Sequence, residues 1–184
     1  MTLLVLFALV ALLAAFVVFL YNRLVKMRNT VRSSWADIDV MLRKRYNLVD
    51  NLVETVKGYA SHEKETLTGV TEARAQAMKA SGPLAKGAAE NIFQETLKSL
   101  FALSEAYPDL KANESYLKLQ GQLEELENGI EYARRYYNAT VRDYNTLTEV
   151  FPSNLIAAQF SFHRESFFEL TEAAAREPVK VDFT

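Results

Sequence analysis

Two histidines, His62 and His163, are the first residues a metal centre would call on. Long-helix bundles that house di-iron sites place Glu three residues ahead of His on each of two helices. Here Tyr59 and Phe160 hold those positions, so His62 reads as a helix-start residue and His163 as a turn residue. The chain has no cysteine. That excludes disulfides, thiol catalysis and Cys-ligated zinc or iron–sulfur sites, and it suits a reducing compartment. No serine sits in a Gly-flanked nucleophile elbow, and no Gly-rich loop is built for phosphate. No residue is therefore assigned a catalytic, cofactor-binding or metal role, and the chain reads as non-enzymatic.

The polar groups that remain lie in a helical stretch. YYNATVRDYN, residues 137–146, repeats a Tyr-Asn pair after seven residues. Seven residues are nearly two turns, so Tyr137 and Tyr144 share a stripe with Asn138 and Asn145 beside them. Glu127, Glu131 and Arg134 lie along the same side. Polar residues in an apolar stripe cost stability if unpaired, but a satisfied Asn or an Arg–Glu pair fixes register, and tyrosines can bury their rings while their hydroxyls find partners. Glu127, Arg134, Tyr137, Asn138, Tyr144 and Asn145 are read as a polar bundle seam, with a ligand pocket as the competing reading. Two Asn-x-Ser/Thr matches, at Asn113 and Asn138, are read as chance.

The elements that must position these residues are helices throughout; no strand pattern competes. From Val31 the apolar positions step by three and four, through Trp35, Ile38, Leu42, Val49, Leu52, Val56 and Tyr59 to Val70, Ala73 and Ala77. This is a coiled-coil-like stripe. A kink or break is expected at Gly58, with Ser61 as cap and Glu63 and Glu65 in the next turn, and Ser81-Gly82-Pro83 ends the segment. A second helix is expected from about Leu84 to Tyr107, with Ile92, Phe93, Leu97, Leu100 and Leu103 on its apolar face, stopped by Pro108. A third starts at the cap Asn113. Its stripe is Tyr116, Leu119, Leu123, Leu126, Ile130, Ala133, Tyr137, Val141, Tyr144, Leu147 and Phe151. Pro152 closes it, and Ser153 or Asn154 caps a short helix through Phe160. Phe160, Phe162, Phe167 and Phe168 follow, read as packing the tail onto the bundle, with an exposed partner-binding patch of Phe162, Phe167 and Phe168 as the sharper alternative. The ending EPVKVDFT is expected to be extended. Short loops make neighbouring helices antiparallel, so the fold expected is all-α: one transmembrane helix, then an elongated antiparallel bundle of three long helices, a short C-terminal helix and a tail.

The domains follow as 1–22, a membrane anchor, and 23–184, a helical bundle. Leu3 to Leu20 is an unbroken apolar run, enough to cross most of a ~30 Å hydrocarbon layer. A cleaved signal peptide would want a basic start, a shorter apolar run and small residues at its end; this run has none of these. Arg23, Lys26, Arg28 and Arg32 follow the span and nothing basic precedes it, which orients the bundle to the cytoplasm, with the short N-terminus outside. Those four residues either attract anionic headgroups or serve topology alone. Residues 23–45 carry seven Lys/Arg against two Asp, and the remainder fourteen against twenty-one acidic residues. So acidic a body argues against nucleic acid.

KGYASHE (57–63), YPDLKAN (107–113), ARRYYNATVRDYN (133–145), FPSN (151–154) and PVKVDF (178–183) together resemble the LemA family over essentially the whole chain. The resemblance implies one N-terminal span, a cytoplasmic helical bundle and an association with cell-envelope physiology and internal-membrane shaping, with no defined activity. Two positions depart from the family pattern. Asp50 replaces a usual proline, removing the cause of a kink there, and Ser161 replaces a usual glycine between two phenylalanines.

Two functional expectations result. One is a scaffold that self-associates and organises the bilayer, its anchors packing through Ala8, Ala11, Ala14 and Ala15, of which Ala11 and Ala15 have small-xxx-small spacing. The other is a tethered adaptor that holds a cytoplasmic protein in the bundle groove or on the Phe-rich tail. The expected partners are the lipid bilayer, further copies of the chain and, on the second reading, that protein.

Overall fold

The structure, a computed structural model, describes residues 1–170; the EPVKVDFT ending lies outside them. Six helices account for most of that length: α1 (Thr2–Lys57), α2 (Lys64–Lys79), α3 (Pro83–Ser104), α4 (Pro108–Lys111), α5 (Glu114–Glu149) and α6 (Ser153–Gln159). Among the described residues there is no strand. The chain divides into two compact units: residues 1–45 with 124–167, and residues 46–123 with 168–170.

In the first unit α1 and α5 run antiparallel. Ser34 meets Thr140 through their hydroxyls at 3.2 Å, the Trp35 ring lies 5.4 Å from that of Tyr137, and Arg45 reaches Glu127 at 2.8 Å. Leu24, Val31, Ile38 and Leu42 from α1 and Ile130, Tyr137, Val141 and Tyr144 from α5 are buried, as period-3.6 stripes require. Each fully buried aliphatic side chain contributes roughly 1.5–3 kcal/mol. Phe151, expected to continue the α5 stripe, is instead 78% exposed. α5 has ended at Glu149, so the helical period no longer governs where Phe151 falls.

In the second unit the rest of α1 packs with α2 and α3. Tyr46 and Phe93 rings meet at 5.8 Å, and Arg74 donates to the Tyr46 carbonyl at 2.8 Å and pairs with Asp50 at 3.0 Å. α1 passes through Asp50 unbroken. It stops at Lys57, and the turn at Gly58 is where the break was expected. The start of α2 differs from the expectation: Glu63, not Ser61, occupies the cap position, with no side-chain cap bond. Asn113 does cap α5, its Oδ1 accepting from the Tyr116 amide at 3.0 Å. Pro152 rather than Ser153 or Asn154 precedes α6 at the cap position. Tyr59 is exposed and its hydroxyl accepts from Asn113 at 2.9 Å. Ile92 is likewise exposed, because α3 turns Phe93, Leu97 and Leu100 inward and the neighbouring position falls outside that stripe.

Two glycines are required by geometry. Gly82 takes φ 78° ahead of Pro83, a conformation that costs side chains with a Cβ. At Gly87 a Cβ would stand 2.6 Å from the Glu169 carbonyl oxygen.

Candidate functional site

The seam lies within the first unit and is built from α5 outward. Tyr137 is 1% exposed. Its hydroxyl donates to the Ser166 carbonyl at 2.8 Å. Burial, then the nearby Glu165 carboxylate, pushes its pKa up to about 12. One heptad on, Asn145 holds Glu165 by both ends: Nδ2 donates to the Glu165 carbonyl and Oδ1 accepts from the Glu165 amide, both at 2.9 Å. An asparagine there does for the strand-like segment after α6 what a paired backbone would do. Thr140 bridges the two helices, contacting the Ser34 hydroxyl and donating to the Tyr137 carbonyl at 2.8 Å.

Tyr144 differs from its heptad mate. It is fully buried, and among the described residues its hydroxyl has no hydrogen-bond partner. Burial, then Glu165, raises its pKa; Arg28 and Arg32 act the other way. Glu127 accepts from buried Arg45 with both oxygens, at 2.8 and 3.0 Å, and Glu131 pairs with Arg135 on the surface. Arg134 and Asn138 are half-buried. Of these contacts, Ser34–Thr140 and Arg45–Glu127 cross between α1 and α5, and Tyr137 and Asn145 bond the main chain after α6, bonds of the kind that fix register.

Of the basic residues after the apolar run, Arg23, Lys26 and Arg32 are exposed. Arg28 is turned inward, its guanidinium 4.7 Å from the Phe162 ring centre, as a cation over an aromatic face favours. Phe162 and Phe168 are buried, 6% and 0% exposed, and Phe167 is half-buried. The exposed patch expected of Phe162 and Phe168 is therefore absent; both pack into the chain's own core. Ser161 sits between Phe160 and Phe162 at φ 55°, in the left-handed region that glycine adopts freely.

Ala8, Ala11, Ala14 and Ala15 are all exposed on α1, the one helix long and apolar enough to cross a membrane among the described residues. α1 continues from that segment into the first unit as a single helix. Ala11 and Val40 are twenty-nine residues apart, about eight turns, which brings them within about 20° around the axis. Between them on that face lie Ala15, Val18, Asn22, Lys26, Asn29, Ser33 and Ala36, all exposed and, Lys26 apart, uncharged. The outer face of a surface helix is ordinarily its charged one. Here it lies opposite the buried Leu24, Val31, Ile38 and Leu42 and carries one charge, Lys26, close to the apolar run. At its end, a groove of about 300 Å³ opens between α1 and α5, lined by Val40, Met41, Tyr132 and Tyr136 among others.

Sequence reasoning on the seam did not reach this face or the buried charges. The outer face needed the wheel drawn through the span rather than from Val31. Arg45, Lys86 and Glu90, buried at 1–4% exposure, carry no sequence signal that separates them from surface charges. Among the described residues no three His, Cys, Asp or Glu side chains gather as metal ligands.

An apolar helix long enough to span a bilayer, continuous with a helical bundle whose polar core bonds are structural, defines a membrane-associated helical-bundle protein. A sequence model of the LemA family matches residues 34–183, and the chain belongs to that family. It is 25% identical to the magnetosome protein MamQ 2 of Paramagnetospirillum magneticum over 81% of this chain and 64% of the relative. To the magnetosome protein MamQ of Magnetospirillum gryphiswaldense it is 24% identical over 80% and 64%. To Protein LemA of Metamycoplasma hominis it is 24% identical over 88% and 73%. The chain thus spans about 64% of the length of these MamQ relatives.

Proposed function

We propose that this protein is a non-enzymatic, membrane-anchored scaffold: copies self-associate along α1 and together organise or shape the bacterial cytoplasmic membrane, with the bundle on the cytoplasmic side. The observation that carries this reading is the exposed outer face of α1, uncharged except at Lys26, running from Ala11 and Ala15 in the apolar segment through Asn29, Ser33 and Ala36 to Val40. Small residues let helices approach closely in lipid, and beyond Lys26 the run Asn29, Ser33, Ala36 and Val40 has no charge to desolvate in continuing that contact outside it. Anchoring adds to this by holding every copy in one orientation, so that like faces meet at like height. The basic flank after the span supports the orientation. The family's association with internal membranes and relatives named for the magnetosome fit a role in membrane organisation.

An adaptor role keeps one supporting feature, the groove beside Tyr132 and Tyr136. The buried Phe162 and Phe168 no longer serve it.

The test is the size of the full chain in mild detergent when the face is changed. Ser33→Glu with Ala36→Glu places charges on an exposed surface that a monomer tolerates, and Ala11→Leu with Ala15→Leu enlarges the face inside the span. Both are expected to disperse the assembly. If particles of unchanged size survive both changes, α1 is not the contact.

A further inference from the structure

The end of the first unit that carries α6 has an exposed apolar cap. Residues 150–162, VFPSNLIAAQFSF, contain no charged side chain. α6 buries Ser153 and Ala157, which leaves Val150, Phe151, Leu155 and Phe160 outward at 44%, 78%, 59% and 51% exposure. Exposed apolar side chains scattered singly need no explanation, but a contiguous group of them marks a surface that meets something.

Two observations locate this cap along α1. The antiparallel register sets Thr140 against Ser34. Phe151 lies eleven residues beyond Thr140, and eleven residues back from Ser34 is Arg23. The aromatic contacts agree: the Tyr21 ring lies 4.9 Å from Phe160 and 5.7 Å from Phe162. Tyr21 and Arg23 directly follow the apolar run that ends at Leu20. A tyrosine and an arginine at the end of a spanning segment sit at headgroup level. The cap is thus continuous with the surface at which α1 leaves the hydrocarbon.

We propose that this cap is a second, monotopic membrane contact, in which Phe151 and Leu155 enter the headgroup–acyl boundary of the leaflet from which α1 emerges. The inference rests on α1 being the membrane anchor. Its occupant is lipid rather than a second protein, because any surface at the height of Tyr21 meets the bilayer first and the cap has no charge to keep it in water. The nearest charges on either flank, Glu149 and Arg164, pair with each other at 2.9 Å. Contact is therefore driven by apolar burial, and added salt leaves it in place. Two attachments, one spanning and one lying in the interface, hold the first unit at a fixed tilt and rotation that a single helix would leave free.

The experiment uses the full chain reconstituted in phosphatidylcholine vesicles with brominated acyl chains. Trp35 is the sole tryptophan, so Trp35→Phe gives a silent background for single reporters at Phe151→Trp, Leu155→Trp, Phe16→Trp in the span and Tyr132→Trp. Tyr132 is 74% exposed and nineteen residues back from Phe151 along the chain, most of that along α5, which sets it about 28 Å away. Bromine is expected to quench the reporters at 16, 151 and 155 and to leave that at 132 bright, with aqueous iodide doing the reverse. Quenching at 16 with 151 and 155 open to iodide overturns the cap contact and leaves the anchor standing. No quenching at 16 overturns both. Reporters at 151 and 155 shielded from bromine and iodide alike, and unshielded on dilution into excess lipid, would assign the cap to a second copy and overturn the lipid contact.

Discussion

In the first unit, Tyr137, Thr140 and Asn145 turn their polar atoms onto neutral main-chain and hydroxyl groups of α1 and the segment after α6. In the second, Tyr46 donates to buried Glu90, Lys86 is buried one turn before it on α3, and the Lys86 ammonium donates to the Ala77 carbonyl at 2.8 Å and lies 5.8 Å from the Tyr46 ring centre. Both clusters centre on a buried tyrosine. The difference between these two clusters is formal charge: neutral hydrogen bonds each contribute about 1 kcal/mol net, whereas removing one member of a buried charged cluster leaves the others desolvated at several times that cost. The tyrosine seam of the first unit is held in register by many small terms beside the Arg45–Glu127 ion pair, and the cluster of the second by a few large ones.

Glu90→Ala should give the largest loss, about 3–5 kcal/mol, read from the denaturant midpoint of the full chain in detergent. Glu90→Gln keeps an acceptor for Tyr46 and removes the charge. A loss as small as that of a neutral seam residue would erase the contrast between the units. Asn145→Ala comes next, at about 2 kcal/mol, since two bonds to Glu165 vanish together and its backbone is left half-buried.

The heptad pair sharpens the comparison within the first unit. Tyr137→Phe is expected to cost about 1 kcal/mol, while Tyr144→Phe should stay within about 0.5 kcal/mol or stabilise, because its hydroxyl is buried without a partner among the described residues. Alkaline titration separates them again. The folded chain holds the Tyr137 proton to about pH 12, whereas the unfolded chain releases it near 10. That contribution to stability is complete below pH 10 and is lost as pH rises from there through 12. Tyr137→Phe should flatten the decline, leaving the part in the same direction that belongs to Tyr144.

A small gain rather than a loss is expected at Ser161, whose φ of 55° carries a left-handed cost. Ser161→Gly should stabilise by about 0.5–1 kcal/mol, the strain relieved less the added freedom of the unfolded chain.

Helix existence was legible because apolar residues at three- and four-residue steps leave few alternatives over stretches as long as Val31–Val56 or Tyr116–Tyr144. The Tyr137–Asn145 seam was legible for the same reason, since a heptad repeat of polar groups within an apolar stripe has few places to go. Phe151 was misplaced because the period was extended past the end of α5. Ile92 was misplaced because adjacent apolar residues cannot both face one core. Lys86 and Glu90 were illegible: their burial depends on Tyr46, forty residues away in the chain, and one turn of mixed charge reads as a solvated pair. Ser161 could be read only against the family pattern, where a glycine signals the backbone conformation that the serine adopts.

Self-association along the outer face of α1 is the central claim, and the particle mass of the unaltered full chain tests it most directly. Light scattering on protein extracted in native lipid discs, across a range of concentrations, should return a uniform mass of many copies that persists on dilution. A single-chain mass at every concentration would contradict it.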